Sequence, residues 1–183
     1  MRKKELTAAD VWAMFAETDR LIREDRKEFD RKIKALNEQI GGISNSNGDF
    51  AEEFFYNSLK ETMTFAGIHF DCISNKFARE RIMPDKTEIK AQFDIVLHNG
   101  NSIALIEAKY KANLKDIKEL VEKKIPNFRF LYPEFAKYKL YLGIGSLVLK
   151  ERIIQEAKKL GIGLMKQRGD AVEYKTDWVR AYA

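Results

Sequence analysis

The sequence predicts an α/β fold in which helices flank a central mixed β-sheet and one long helix precedes the sheet. Three observations predict it. Apolar residues recur at every seventh position near the N-terminus, an Asn-Gly turn joins two short apolar segments, and strand-like and helix-like segments alternate after Glu107. The 183 residues suffice for one domain with its own core and one extended element.

Residues 7–40 are predicted to form one long helix, with Thr7 as its N-cap. Its apolar stripe has a period of seven and consists of Phe15, Ile22, Phe29 and Leu36, widened by Ile33 and Ile40. Such a helix would extend about 50 Å, more than a small domain can cover, so self-association through a coiled coil is predicted. The alternative is that part of the helix packs on its own domain.

The chain is predicted to divide into a coiled-coil helix over 1–42, a linker over 43–48 and an α/β domain over 49–183. Gly41-Gly42 is expected to end the helix, and the linker is rich in Ser, Asn and Gly. The elements predicted after the linker are a helix at 49–66, an extended segment at 68–82, strands at 95–97 and 103–106, a helix in the first half of 112–136 with Pro126 limiting it or starting another, a strand at 139–145, a helix at 147–160, and strands at 162–166 and 172–175.

Two carboxylates and one ammonium group are predicted to converge at one end of the sheet. The Asn99-Gly100 hairpin folds Asp94 back beside Glu107, and strand alternation places Glu107 and Lys109 on one face. Charged groups in such apolar segments cost free energy unless they are paired or bind a ligand. A divalent cation or a phosphodiester substrate would be such a ligand. The alternative is a simple ion pair between Glu107 and Lys109 on a solvated face.

Basic residues are concentrated in one half of the chain. Residues 107–168 contain 15 Lys or Arg against 7 Asp or Glu, whereas the whole chain has a formal net charge of +5. This excess would attract a polyanion, although a solvated lysine-rich surface has the same composition. No apolar stretch is long enough for a membrane span, no secretory signal follows residues 1–4, and Cys72 is a lone cysteine, so we expect a cytoplasmic protein that does not bind membranes.

Asp94, followed by Glu107-Ala108-Lys109 at the end of the next strand, resembles the motif of the PD-(D/E)XK nuclease superfamily. The resemblance covers about residues 48–175 and includes Glu52, in a helix ahead of the sheet, where many members carry another acidic residue. Phe93 stands where the name-giving proline would be. The resemblance implies a restriction-endonuclease-like core and a metal-dependent nuclease that hydrolyses phosphodiester bonds of DNA.

Roles for individual residues follow from that resemblance and from the chemistry of the groups. Asp94, Glu107 and the main-chain carbonyl of Ala108 would bind Mg²⁺ or Mn²⁺ through oxygen atoms. Lys109 would orient the attacking water or neutralise charge at phosphorus. Glu52 would be a fourth catalytic residue, or only an acid favoured by the helix dipole. Two further lysines, Lys111 and Lys115, are expected to contact phosphates.

Other functions stay open at this point. A non-catalytic module with the same fold would use the coiled coil to assemble with protein or nucleic-acid partners, and a nuclease of this kind would also be able to act on RNA. A zinc site is not expected, because His69 and His98 lie far apart with no cysteine or carboxylate at ligand spacing.

Overall fold

The structure, a computed structural model, describes residues 8–83 and 85–182. The chain divides into two compact units, Met1–Asn45 and Ser46–Ala183. Thr7, the predicted N-cap, lies outside the described residues. Within the described part, no helix combines the length and the apolar character that crossing a bilayer requires.

The first helix, α1, runs without interruption over Ala8–Thr62. The helix end predicted at Gly41-Gly42 is therefore wrong, and residues 43–48, which were predicted to form a linker, are helical. The boundary between the two compact units, after Asn45, falls within these residues. Each glycine costs a helix only about 1 kcal/mol relative to alanine, which weakens the helix without breaking its hydrogen-bond ladder. The helix ends where the backbone turns left-handed, at Met63 with a φ of 48°.

The predicted apolar stripe of α1 is exposed to solvent in the described residues. The exposed fractions are 63% for Phe15, 59% for Ile22 and 63% for Phe29. Charged side chains occupy other positions, and Glu28 and Lys32 form the i,i+4 ion pair that their spacing predicts, at 2.7 Å. The side chains of the remaining stripe residues are outside the described part: Ile33, Leu36 and Ile40.

The unit Ser46–Ala183 contains a six-stranded mixed sheet flanked by helices, which confirms the predicted α/β class. Its strands, in their order across the sheet, are β3 (Cys72–Ile82), β4 (Glu88–His98), β5 (Ser102–Lys111), β6 (Lys139–Val148), β7 (Gly163–Arg168) and β8 (Ala171–Lys175). The central pairs β5–β6 and β6–β7 are parallel, and the other pairs are antiparallel. A short hairpin precedes the sheet, formed by β1 (Thr64–Phe65) and β2 (Ile68–His69).

Three helices connect the later strands: α2 (Leu114–Glu119), α3 (Ile125–Leu131) and α4 (Glu151–Leu160). A π-helical segment, Leu120–Lys124, joins α2 to α3, and the N–H of Ile125 bonds to the carbonyl of Leu120, five residues earlier. Proline clashes with the carbonyl four residues before it in a regular α-helix, so this widened turn lets Pro126 enter α3 without a break.

Two hydrophobic clusters cover the two faces of the sheet. Side chains of α2, α3 and α4 pack against one face, whereas Phe55 and Leu59 of α1 belong to the cluster on the other. Along β5, Ile103 and Leu105 belong to the first cluster, whereas Ala104, Ile106 and Ala108 belong to the second. This alternation confirms that the central strands are buried on both faces.

Two glycines of β6 allow rings to pack directly on the sheet. The strand was predicted to end at 145 and the next helix to begin at 147, but β6 continues to Val148 and α4 begins only at Glu151. A Cβ atom on Gly145 would lie 2.6 Å from Cδ2 of Phe55. The glycine is therefore required by the close approach of the aromatic ring.

We expect Gly145→Ala to lower the free energy of unfolding by about 2 kcal/mol, because the new methyl group must displace the buried ring of Phe55. Urea unfolding followed by circular dichroism measures the change. Gly100→Ala is the matched control, since Gly100 lies outside the helices and an added Cβ there meets nothing within 4 Å. Equal midpoints for Gly145→Ala and wild type would show that this contact is not tight.

Candidate active site

Asp94 lies where β4 departs from regular strand geometry. In a regular strand Phe93 and Ile95 would face the same side. Here Phe93 packs in the cluster beneath α2–α4, together with Val96, whereas Ile95 packs in the opposite cluster. The alternation therefore shifts by one residue at Asp94, the kind of irregularity that re-aims a side chain.

Strand pairing is interrupted at the same point. The pairing of β3 with β4 omits Lys76 and Asp94, and Lys76 has a left-handed backbone with a φ of 48°. The last paired residues of β4 and β5 at this end are Ile95 and Ile106, which are the sequence neighbours of Asp94 and Glu107. Both neighbours of β4 thus leave space around the Asp94 carboxylate.

The carboxylates of Asp94 and Glu107 meet the ammonium group of Lys109 in that space. The Nζ atom of Lys109 lies 3.4 Å from Oδ2 of Asp94 and 3.4 Å from Oε2 of Glu107. The main-chain N–H of Ala108 donates to Oδ2 of Asp94 at 2.9 Å. Both acids are buried, with 7% of each residue exposed. The hairpin and strand alternation therefore bring together the three charged groups that the sequence predicts to converge.

Burial and mutual charge alter the protonation of this cluster. Burial raises the pKa of Glu107, the charge of Asp94 raises it further, and Lys124 and Lys109 partly oppose the rise. For Lys109, burial lowers the pKa, but Asp94 and Glu107 outweigh burial, so the pKa lies above its usual value. Lys109 is therefore held as a cation between the two acids.

A cleft of about 300 Å³ opens onto these groups. Its lining comes from β4, β5 and the helix that follows β5, and consists of Gln92, Asp94, Glu107, Lys109, Asp116, Glu119, Leu120 and Lys124. Gln92 enters this lining from β4, two residues before Asp94. A small polar cleft with buried acids is a typical candidate for an active site.

Lys124 is the site residue that sequence analysis missed. Its Nζ atom lies 2.8 Å from Oε1 of Glu107. A sequence signal exists, because Asp116, Leu120 and Lys124 follow one another at intervals of four residues and so share one helical face. Placing that face over β5, however, requires the tertiary fold.

Glu52 lies close to the charged cluster but lines a neighbouring cleft of about 360 Å³. Its Oε2 atom is buried and has no hydrogen-bond partner among the described residues. Burial raises the pKa of Glu52, and the charge of Asp94 adds to the rise. The structure thus brings Glu52 within electrostatic reach of Asp94 without placing it in the same cleft.

We expect Glu52→Gln to raise the free energy of unfolding at pH 8 by less than about 1 kcal/mol, because it removes a partly buried charge that solvent still screens. Because the pKa of Glu52 is raised in the folded state, its ionisation destabilises the folded protein. The stability gained by Glu52→Gln therefore appears as the pH rises above 4.5, the ordinary pKa of a glutamate. Thermal unfolding at pH 4 and pH 8 measures this. Glu53→Gln, at an exposed neighbour, serves as control, and an equal gain at both pH values would exclude ionisation as the cause.

Lys111 and Lys115, the expected phosphate contacts, are exposed just past the cluster. Lys111 ends β5, and Lys115 lies in the first turn of α2, which Asn113 caps. Neither side chain lines the two clefts described above. Their exposure leaves both lysines accessible to a polyanion that approaches the cleft.

The oxygen donors at the cluster suit a hard divalent cation. Asp94 and Glu107 supply two buried carboxylates. Over residues 8–83 and 85–182, no three His, Cys, Asp or Glu side chains are grouped as a metal site. A cation held by this pair would therefore need main-chain oxygens and water as well, which Mg²⁺ commonly uses.

Comparison with known proteins does not assign the chain to a family. No protein-family model matches it, and no curated protein matches it. Among solved structures, the crystal structure of protein VC1899 from Vibrio cholerae is similar, with 18% sequence identity and a TM-score of 0.48. The similarity covers 65% of this chain and 30% of that one, so this chain spans less than a third of that protein's length. The function is therefore inferred from the chain's own residues.

Proposed function

We propose that the protein is a metal-dependent nuclease of the PD-(D/E)XK type, with a restriction-endonuclease-like core, that hydrolyses phosphodiester bonds of DNA. The observation that supports the proposal is the contact of one lysine with two buried acids. The Nζ atom of Lys109 lies 3.4 Å from both Asp94 and Glu107, at the edge of an open cleft. A buried ion cluster is weak evidence of stability, whereas acids and lysines with shifted pKa values that face a cleft are typical of functional sites.

Each member of the cluster has a defined task in this proposal. Asp94, Glu107 and the carbonyl of Ala108 would hold Mg²⁺ or Mn²⁺, with water completing the shell. The bound cation would polarise the scissile phosphate and make a water molecule more acidic. Lys109 would orient that water and stabilise negative charge that builds on the phosphorus oxygens as the P–O bond to the leaving group breaks. Glu52 would order water at the edge of the site.

DNA is the proposed substrate because the segment that supplies most of the cleft lining carries an excess of positive charge in its sequence. This excess of lysine and arginine over acidic residues lies between Glu107 and Arg168, and Lys111 and Lys115 are its exposed members nearest to Lys109 in the sequence. Phosphate contacts of this kind position the backbone without reading the sequence. The proposal is therefore a nuclease whose contacts near the cleft are made mainly to the sugar-phosphate backbone.

Two copies of the chain are proposed to associate through α1. The stripe of Phe15, Ile22 and Phe29 has the seven-residue period of a coiled-coil seam, and all three side chains are more than half exposed. Burying them against a second copy would remove apolar surface from water. A homodimer would supply two catalytic clusters, one for each strand of a duplex.

Cleavage of supercoiled plasmid by the full chain tests the proposal. We expect nicked and linear products with Mg²⁺ or Mn²⁺ and none with EDTA, with a structured RNA left intact under the same conditions. Cleavage of the RNA but not of the plasmid would indicate that RNA is the substrate instead of DNA. Binding of DNA without cleavage of either nucleic acid, at any concentration of cation, would favour the non-catalytic module.

A further inference from the structure

Lys124 is fixed against the charged cluster by three separate contacts. Its Nζ atom lies 2.8 Å from Oε1 of Glu107 and also donates to the main-chain carbonyl of Gln92. The same ammonium group lies 5.2 Å from the centre of the Phe93 ring, within the range of a cation–π interaction. About a quarter of the side chain is exposed, at 26%. These contacts hold the Lys124 side chain in the cleft, unlike a lysine that extends freely into solvent.

The position of Lys124 depends on two irregularities of the fold. It is the last residue of the π-helical segment Leu120–Lys124, where the helix widens ahead of Pro126. Its acceptor, the carbonyl of Gln92, lies beyond the last residues that pair β4 with β5. The ammonium group therefore occupies the gap that opens between the two strands, beside Glu107.

The Glu107 carboxylate has one lysine on each oxygen. Lys109 contacts Oε2 at 3.4 Å and also contacts Asp94, whereas the shorter contact of Lys124 involves Oε1 alone. Lys109 already lies between Oδ2 of Asp94 and Oε2 of Glu107. A divalent cation held by the two acids would need access to an oxygen of each. Close to Oε1 it would meet the ammonium group of Lys124, and two cations around one oxygen repel strongly at short range.

We propose that Lys124 is a positioning residue, an internal cation that holds Glu107 until a divalent cation binds and that must withdraw from Oε1 to admit it. This inference rests on the proposed function, because it assumes that Glu107 is a metal ligand. Lys124 neutralises and orients the buried carboxylate, and it lowers the affinity of the site for the cation. Withdrawal frees the ammonium group to face a phosphate in the cleft.

Calorimetric titration of the full chain with MnCl₂, without nucleic acid, tests this role. We expect Lys124→Met to bind Mn²⁺ at least about tenfold more tightly than wild type, since close charge pairs contribute that much or more. Lys123→Met is the matched control, because the neighbouring Lys123 pairs with Glu119 at 3.1 Å and does not contact Glu107. Lys124→Arg keeps the charge and is expected to bind Mn²⁺ no more tightly than wild type.

The outcomes separate this inference from the nuclease proposal. Unchanged or weaker binding by Lys124→Met, with wild-type binding that Asp94→Asn abolishes, would overturn the role of Lys124 and leave the metal site standing. Equal tightening in Lys124→Arg would also overturn it, because charge would then not be the cause. No binding of Mn²⁺ to wild type or to Lys124→Met would overturn the metal site and the inference together. Thermal unfolding without metal confirms that each variant is folded.

Discussion

Asp94→Asn is expected to reduce metal-dependent cleavage of plasmid DNA by at least about a thousandfold. Asparagine keeps the size of the side chain and an oxygen that accepts the hydrogen bond from Ala108. It removes the negative charge that would hold the cation together with Glu107. Because the shape is kept, the loss should come with little change in the thermal unfolding temperature.

The effect is measured as the rate at which supercoiled plasmid disappears at saturating Mg²⁺. Lys109→Met, which removes the ammonium group between the acids, should cause a similar loss. Lys159→Met is its matched control, since Lys159 is exposed on α4 and pairs only with Glu156. If Asp94→Asn and Lys109→Met cut as fast as wild type, the charged cluster would be structural and the non-catalytic module would be favoured.

The charged cluster could be predicted because its geometry is local. Asn99-Gly100 identifies the turn, and the two-residue period of a strand then fixes which of the nearby side chains share a face. Asp94, Glu107 and Lys109 all lie within ten residues of that turn. The same local rules predicted the end of α4 at Gly161, which has a left-handed φ of 76°.

Glycine is where sequence reasoning failed, because the same residue type occurs at element ends and inside elements. Gly41-Gly42 was predicted to end a helix but lies within α1, and Gly145 was predicted to end a strand but lies within β6. The need for Gly145 comes from Phe55, which is distant in sequence and packs on it only in the folded chain. Local propensity carries no information about such a contact.

The charge balance of the site could not be predicted from the sequence either. Lys124 enters the cleft only because the helix widens before Pro126 and because β4 and β5 stop pairing beside it. Glu52 lies within electrostatic reach of Asp94, but its place in a separate cleft depends on how the end of α1 packs on the sheet. Both features depend on how separate helices and strands pack together, and sequence periodicity carries no information about that packing.

Ile22→Asp is expected to weaken self-association by at least about a hundredfold, because a buried carboxylate without a partner costs several kcal/mol in each chain. Sedimentation or light scattering of wild type should give twice the chain mass of 21.3 kDa, and the variant should give the chain mass alone. The same change should shift plasmid products from linear to nicked circles, since single clusters would then cut strands independently.

Lys27→Asp is the matched control, because it places the same side chain about 140° around the helix from Ile22. Lys27 is exposed and lies outside the apolar stripe. Loss of association in Ile22→Asp alone would locate the interface on the stripe, whereas loss in both variants would point to a general effect of charge or of helix weakening. Sedimentation of the wild-type chain as a monomer at high concentration would contradict the proposed coiled coil. Linear plasmid products would then have to arise from separate cuts by single chains. The nuclease proposal does not depend on that result, since Asp94, Glu107 and Lys109 all come from one chain.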